Sequence, residues 1–322
     1  MKPALLVATT GWDVESWARR IGPLLPDRPV LCTDRSGIYH SADKNLAGVH
    51  YILAWKPLQE TLDRLPSLRV IFSLGAGVDH IFGLARLPDV PIVRIVDPDL
   101  TARMTEYVAW QVLHHQRLGP TYAGHQRQHV WRDVDPPAAH QVHVGIMGLG
   151  AMGRSAAKML VRLGFKVRSW TRSPKQMAGV ESFHGAQGFD AFLAGTDILV
   201  SLLPLTPDTR GLIDLPLVRK LRRDGPLAGP ILINAGRGGS QVEADIVAAL
   251  RDGTLAGASL DVFQTEPLPA ESPLWDLGNV VITPHVAAVS DPAALAGQIA
   301  GQIEAFERGD KLKNRVDPRR GY

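Results

Sequence analysis

The chain has 322 residues, 45% hydrophobic and 21% charged, with a formal charge of +3 and a sequence pI of about 9.1. That length predicts two domains rather than one small core. No block of Lys and Arg with interleaved aromatics is present, which argues against nucleic-acid binding, and no run approaches the roughly 18 apolar residues of a membrane span. The single cysteine, Cys32, cannot form an intramolecular disulfide and suits a reducing compartment. With no secretory pattern in the first residues, the cytoplasm is the expected location.

Short apolar runs alternate with helical patterns from the start. Strands are expected at Ala4–Ala8, Val30–Cys32, Tyr51–Ala54, Val70–Leu74 and Ile92–Ile95, with a helix over Val14–Ile21. A long helix runs from about Thr101 to Arg117, stopped by Gly119-Pro120, and Thr121 to His140 reads as an irregular connector. A second series follows: strand His143–Met147, helix Met152–Leu163 and strand Lys166–Trp170, then strands Ile198–Leu202, Ile231–Asn234, Ala258–Leu260 and Val280–Ile282. Ser290-Asp291-Pro292 starts a last helix that ends near Arg308. This rhythm predicts an α/β protein of two doubly wound parallel-sheet domains with a cleft between them. Residues 103–287 form the larger, Rossmann-type nucleotide-binding domain, and 1–102 with 288–322 form a flavodoxin-like partner.

Gly148-Leu-Gly150-Ala151-Met152-Gly153 follows a strand and opens a helix rich in small residues, the context that gives a GxGxxG turn its meaning. Gly148 permits the tight turn, Gly150 the approach of a pyrophosphate to the backbone, and Gly153 close helix–strand packing. The helix start offers free N–H groups and positive partial charge to phosphates. A carboxylate that would bind the ribose hydroxyls of NAD is missing from the end of the next strand. Trp170-Thr171-Arg172-Ser173-Pro-Lys175 stands there instead, and Arg172 and Lys175 can hold a 2′-phosphate. Taken as more than solvated loop charges, they predict NADP(H) in preference to NAD(H).

Three residues beyond the later strands carry the chemistry of reducing a 2-keto acid. Arg237, in Asn234-Ala235-Gly-Arg-Gly238, has a planar fork that matches a carboxylate beside a carbonyl. His285 follows Val280–Ile282 and suits proton donation, while Glu266 follows the strand ending near Asp261 and can orient the His. Ligands of open α/β sheets bind at the carboxyl ends of strands, where all three fall. In the first domain, Gly75, Ala76 and Gly77 follow a strand and form either an anion-accepting turn or a plain tight turn. No metal is called for.

The chain resembles the D-2-hydroxyacid dehydrogenases, especially the glyoxylate/hydroxypyruvate reductase A branch. The resemblance runs from Ser73-Leu-Gly-Ala-Gly-Val-Asp79 to Val316-Asp-Pro-Arg-Arg-Gly-Tyr322, and only about the first 50 residues carry little of it. It implies that Arg237 binds substrate, His285 donates the proton and Glu266 pairs with His285. It also implies that Asp261 contacts the nicotinamide end and that Leu203, Pro204 and Thr209 line the cofactor. The amides of Ala76 and Gly77 would then meet the substrate carboxylate. Trp55 stands where this branch has a pocket Trp, although a core role fits equally well. Met104 could touch the nicotinamide or pack its helix. The implied enzyme reduces glyoxylate and hydroxypyruvate with NADPH, takes no nucleic-acid or membrane partner, and forms a homodimer through the helix after Thr101. The alternatives are an NAD(P)-dependent dehydrogenase or reductase of a bulkier 2-hydroxy or 2-keto acid, including an NAD-dependent enzyme that oxidises a D-hydroxy acid, and a catalytically silent NADPH-sensing protein.

Overall fold

The computed structural model describes residues 2–40 and 46–321. The chain divides into two compact units, Met1–Asp97 with Ser290–Tyr322, and Pro98–Val289.

The first unit is built from β1 (Ala4–Thr9), α1 (Val14–Ile21), β2 (Val30–Cys32), β3 (Val49–Trp55), α2 (Gln59–Asp63), β4 (Val70–Ser73), α3 (Asp79–Phe82) and β5 (Ile92–Val93). Its five strands pair in parallel in the order β2-β1-β3-β4-β5. Every residue of β1 and β4 is buried, as expected of strands covered on both faces.

The second unit starts with α4 (Pro98–Gln116) and α5 (Gly119–Arg127) and continues with β6 (His143–Met147), α6 (Ala151–Arg162), β7 (Lys166–Thr171), β8 (Val180–His184) and α7 (Gly185–Ala194). Then come β9 (Ile198–Ser201), α8 (Leu215–Arg219), β10 (Ile231–Asn234), α9 (Glu243–Arg251), β11 (Gly257–Leu260) and β12 (Val280–Ile282). Seven parallel strands lie in the order β12-β11-β10-β9-β6-β7-β8, so the strand order turns back at β6, behind the glycine turn. Two apolar clusters cover its faces, one of α4 and α6 side chains such as Val108, Ala157 and Leu160, the other of Phe192, Leu217 and Ile246.

The last helix, α10 (Pro292–Glu307), belongs to the first unit. Asp291 caps it by accepting from the Ala293 amide. At its other end both oxygens of Glu307 accept from the fully buried guanidinium of Arg28 at 2.9 Å, and Tyr51 Oη adds a bond at 3.1 Å. Arg28 holds the Glu307 carboxyl below its usual range.

Strand positions agree with the sequence reading to within two residues at either end, β3 and β5 included, but the connector does not. Gly119-Pro120 begins a helix instead of ending one: α4 closes where Leu118 takes φ +61°, and Pro120 fits the first turn of α5, where no N–H partner is needed. β8, α7, α8 and α9 were not foreseen, because short edge strands and five- to ten-residue helices carry little periodicity.

Candidate active site

The glycine turn has the geometry its three glycines imply. Gly148 has φ +99°, and a Cβ there would come within 3.1 Å of the Leu202 carbonyl. A Cβ on Gly153 would sit 1.9 Å from the Gly148 carbonyl oxygen, so α6 can dock only with glycine there. Gly150 faces open space, where an added Cβ meets nothing within 4 Å. Ala151 and Met152 open α6, whose first N–H groups have no partner inside the helix.

At the end of β7, Lys175 Nζ donates to the Leu149 carbonyl at 3.2 Å, which puts a cation against the glycine turn. Arg172 is half exposed, 3.7 Å from Asp208, and Ser173 is exposed. Trp170 and Thr171 hold this loop in place: the indole N–H donates to Gly185 and the Thr171 hydroxyl to Ser173, both at 2.8 Å. An open glycine corner, a helix start and adjacent cations together fit a phosphorylated dinucleotide.

The loops after β9 and β10 are locked together. Leu203 and Ala235 are buried in the core, and Thr209 Oγ1 donates to the Pro204 carbonyl at 2.7 Å, which closes the 204–209 loop on itself. A Cβ on Gly236 would meet the Leu203 carbonyl at 2.7 Å, and one on Gly238 the Phe263 carbonyl at 1.9 Å. Arg237 therefore projects from a backbone that only glycine neighbours allow. Its carbonyl accepts from Ser240 Oγ, and its guanidinium donates to the Gly236 carbonyl at 2.8 Å.

β10, β11 and β12 end level, with Asn234 beside Leu260 and Leu260 beside Ile282. Just past this edge His285 Nδ1 meets Glu266 Oε2 at 2.8 Å, while Glu266 Oε1 accepts from the Phe263 amide at 3.0 Å. The pair fixes the ring and leaves Nε2 as the nitrogen facing away from the carboxylate. His285 has φ +55°, and its amide is held by the carbonyls of Asp261 and Thr283. Asp261, 1% exposed, accepts from Thr283 Oγ1 at 2.7 Å, from the Val286 amide at 2.9 Å, and from the Ala287 amide through both oxygens. Its carboxylate thus pins both sides of His285.

The Thr283 hydroxyl proton points to Asp261, so the 2.9 Å contact with Tyr107 must be donated by the tyrosine. Burial pushes the Tyr107 hydroxyl well above its usual range and keeps it a donor. One turn further along α4, Gln111 Oε1 accepts from Ser259 at 2.6 Å, and one more turn on, His115 Nε2 bonds the same hydroxyl at 2.8 Å. Burial lowers His115 to about 3, so it is neutral and donates through Nε2. Tyr107, Gln111 and His115 form a buried polar stripe against β11 and the end of β12. Tyr107 and Thr283 escaped the sequence reading because their spacing matches no motif, and Met104 packs in the core.

In the first unit Trp55 lies against the glycine turn: a Cβ on Gly75 would sit 2.5 Å from its ring. Trp12 stacks on Trp55 at 4.5 Å and 17°, and His80 packs against it at 4.7 Å. Trp12 was also missed, since one Trp after a strand carries no pattern. Gly75 N–H and Ser73 Oγ are joined at 3.2 Å, and the amides of Ala76 and Gly77 make no hydrogen bond among the described residues. Two successive unbonded N–H groups suit an anion.

Residues 109–287 match the family model for the D-isomer specific 2-hydroxyacid dehydrogenase NAD-binding domain. The chain belongs to the D-2-hydroxyacid dehydrogenase family. It is 40% identical over 317 residues to the glyoxylate/hydroxypyruvate reductase A of Serratia proteamaculans (strain 568), covering 97% of each chain. Among solved structures it is similar to a probable 2-hydroxyacid dehydrogenase of Rhizobium etli CFN 42 in complex with NADP, HEPES and L(+)-tartaric acid, at 49% identity and TM-score 0.92. It is 47% identical, with the same TM-score, to the NADPH-dependent glyoxylate/hydroxypyruvate reductase of Sinorhizobium meliloti in complex with NADP and sulfate. Both comparisons cover 100% of each chain. The protein is an oxidoreductase of this family, with the two parallel sheets and flanking helices expected of it. No described helix is long and apolar enough to cross a membrane, and no described cluster of His, Cys, Asp and Glu could hold a metal.

Proposed function

We propose that the protein reduces small 2-keto acids, glyoxylate to glycolate and hydroxypyruvate to glycerate, at the expense of NADPH. The observation that carries this reading is the 2.8 Å Glu266–His285 pair, held at the same level strand edge from which the Arg237 loop departs. Arg237 would take the substrate carboxylate and polarise the carbonyl. Within the first unit, the unbonded amides of Ala76 and Gly77 are suited to an anion. His285 would pass a proton to the carbonyl oxygen from Nε2, while Glu266 stabilises the charged ring and fixes its orientation. NADPH, held by the Gly148–Gly153 turn and by Arg172, Ser173 and Lys175, would supply the hydride. Preference for NADPH is supported by those cations and by the NADP complexes of the relatives. Small substrates are supported by the Trp12–Trp55 stack beside the Gly75 turn, and the Serratia proteamaculans relative carries the same activity in its name.

A cytoplasmic homodimer completes the proposal: Trp110 on α4 is 51% exposed and Trp131 beyond α5 fully so, large apolar surfaces that a second copy would cover. Sedimentation as a monomer would remove that part alone. The activity is tested by loss of reduced-nicotinamide absorbance with glyoxylate, hydroxypyruvate, pyruvate and phenylpyruvate, each with NADPH and NADH. His285→Ala is expected to lower kcat by roughly two orders of magnitude with NADPH binding retained. Near-wild-type turnover by that variant would end the assignment, and wild-type activity confined to phenylpyruvate would end the choice of substrate.

A further inference from the structure

Asn234 and Gln241 are both 0% exposed in the second unit, and their side chains join the loop that carries Arg237 to the loop that carries Glu266. The two loops follow β10 and β11, which are neighbours in the sheet. Asn234 Oδ1 accepts from the Gly236 amide at 3.1 Å, and Nδ2 donates to the Arg237 carbonyl at 3.2 Å, so one side chain grips the backbone before and after Arg237. Asn234 Nδ2 also donates to Gln241 Oε1 at 2.8 Å, and Gln241 Nε2 donates onward to the Val262 carbonyl at 3.0 Å. Gln264 Nε2 returns a bond to the main-chain carbonyl of Gln241 at 3.0 Å.

The bridge ends on a peptide group that already has a second partner. The Val262 carbonyl and the Phe263 N–H belong to one peptide unit. Gln241 donates to its oxygen, and Glu266 Oε1 accepts from its nitrogen at 3.0 Å. Glu266 Oε2 in turn meets His285 Nδ1 at 2.8 Å. Every bond in this series runs the same way, from the Gly236 N–H through two carboxamides and one peptide to the carboxylate. Amides aligned head to tail polarise one another, and the last N–H faces a negative charge. The orientations are forced at both ends, because Gly236 N–H can only donate and Val262 C=O can only accept. An apolar side chain of similar length would fill the same space without the cost of burying a carboxamide.

We propose that Gln241 is a positioning residue: anchored by Asn234, it fixes the Val262–Phe263 peptide and so holds Glu266 in place against His285. This assignment rests on the reading of the protein as a 2-keto acid reductase and adds to it the device that keeps the proton donor in register with the Arg237 loop. An error of about 1 Å in such a placement can cost up to roughly 100-fold in rate.

The test compares the full chain with Gln241→Met at saturating NADPH. The kcat for glyoxylate is expected to fall by roughly tenfold or more, with NADPH affinity within about threefold of wild type. In a Glu266→Gln background the same substitution should cost less than about threefold, because its route to His285 is already cut. The proton between His285 Nδ1 and Glu266 gives a downfield NMR signal, assigned by its absence in His285→Ala. Gln241→Met should shift or broaden that signal, which a side chain that only fills space would leave alone. Gln241→Val, which is smaller, gives the same comparison should Met crowd the site. An unmoved signal, an unchanged kcat, or an equal loss of kcat with and without Glu266 overturns the assignment. Failure of both variants to bind NADPH would make Gln241 a residue of the fold alone and overturn it too. Turnover by wild type separates the two readings. A Gln241-dependent signal without reduction of any keto acid would remove the reductase and leave the clamp. Reduction of glyoxylate with a Gln241-independent signal and kcat would do the reverse.

Discussion

Asp261→Asn tests the geometry most directly, because it changes charge and leaves shape. The native carboxylate receives the Thr283 hydroxyl at 2.7 Å and the Val286 and Ala287 amides at 2.9–3.1 Å while 1% exposed. In the amide one oxygen becomes an NH2 group facing the Ala287 N–H, and the remaining bonds lose their charge assistance. Bonds to a charged acceptor are worth about 1.5–3 kcal/mol each and neutral ones about 1, so the substitution should cost about 2–4 kcal/mol. For a unit the size of Pro98–Val289 that lowers the midpoint by roughly 5–15 °C. The freed segment is the one that carries His285, and misplacement by about 1 Å can cost up to roughly 100-fold, so kcat should fall by roughly 10- to 100-fold. Thermal unfolding, steady-state kinetics and NADPH titration together decide the matter. If Asp261 acts by pinning the loop, NADPH affinity stays within about threefold; a larger loss restores the nicotinamide contact that family resemblance implies. Wild-type midpoint and kcat in Asp261→Asn would refute the pinning argument outright.

Further outcomes follow from other parts of the molecule. Gly150→Val should leave the cofactor-free midpoint unchanged, since its Cβ meets nothing within 4 Å, but should weaken NADPH binding; Gly153→Ala should fail at folding itself, given the 1.9 Å approach to Gly148. Arg172→Asp should cut kcat/KM with NADPH by roughly tenfold or more and affect NADH less, and an unchanged cofactor ratio would exclude Arg172 from the 2′-phosphate site. Glu307→Gln leaves the buried Arg28 without its partner and should cost about 3–5 kcal/mol at pH 7. Because Arg28 lowers the Glu307 pKa in the folded state, this stabilisation is full above the unfolded value and is lost as pH falls through the folded one. The midpoint difference between variant and wild type should therefore close below about pH 4, and a constant difference would contradict the ion pair. His115 is held neutral down to about 3, so the unfolded chain alone takes up its proton as pH falls below about 6.5, and stability should decline there. His115→Gln should flatten that decline in a midpoint–pH series.

The parts legible in the sequence were those carried by backbone constraints and short apolar runs. Gly148, Gly150 and Gly153 announce themselves because a turn, an open corner and a close approach each exclude a side chain. Glu266 and His285, nineteen residues apart, could be paired in advance because both follow strands of one parallel sheet and because the family resemblance implies the pair. What escaped was polar and long-range. Tyr107 reaches Thr283 across 176 residues. The α5 start was misread because Gly-Pro stops one helix and opens another with the same two residues.

The level ends of β10, β11 and β12 set a limit on how this protein could be remade. Adjacent strands stand about 4.8 Å apart, so the points of departure of the Arg237 loop and the His285 segment lie about 10 Å from each other, two strand intervals. Backbone hydrogen bonds hold that interval, and no side-chain replacement alters it. Divergence toward other substrates is thereby channelled into the loops, which can lengthen, shorten or change residues while their anchors keep one spacing. A library that randomises residues 235–238 and 283–287 but spares the strands would sample new chemistry on an unchanged ruler.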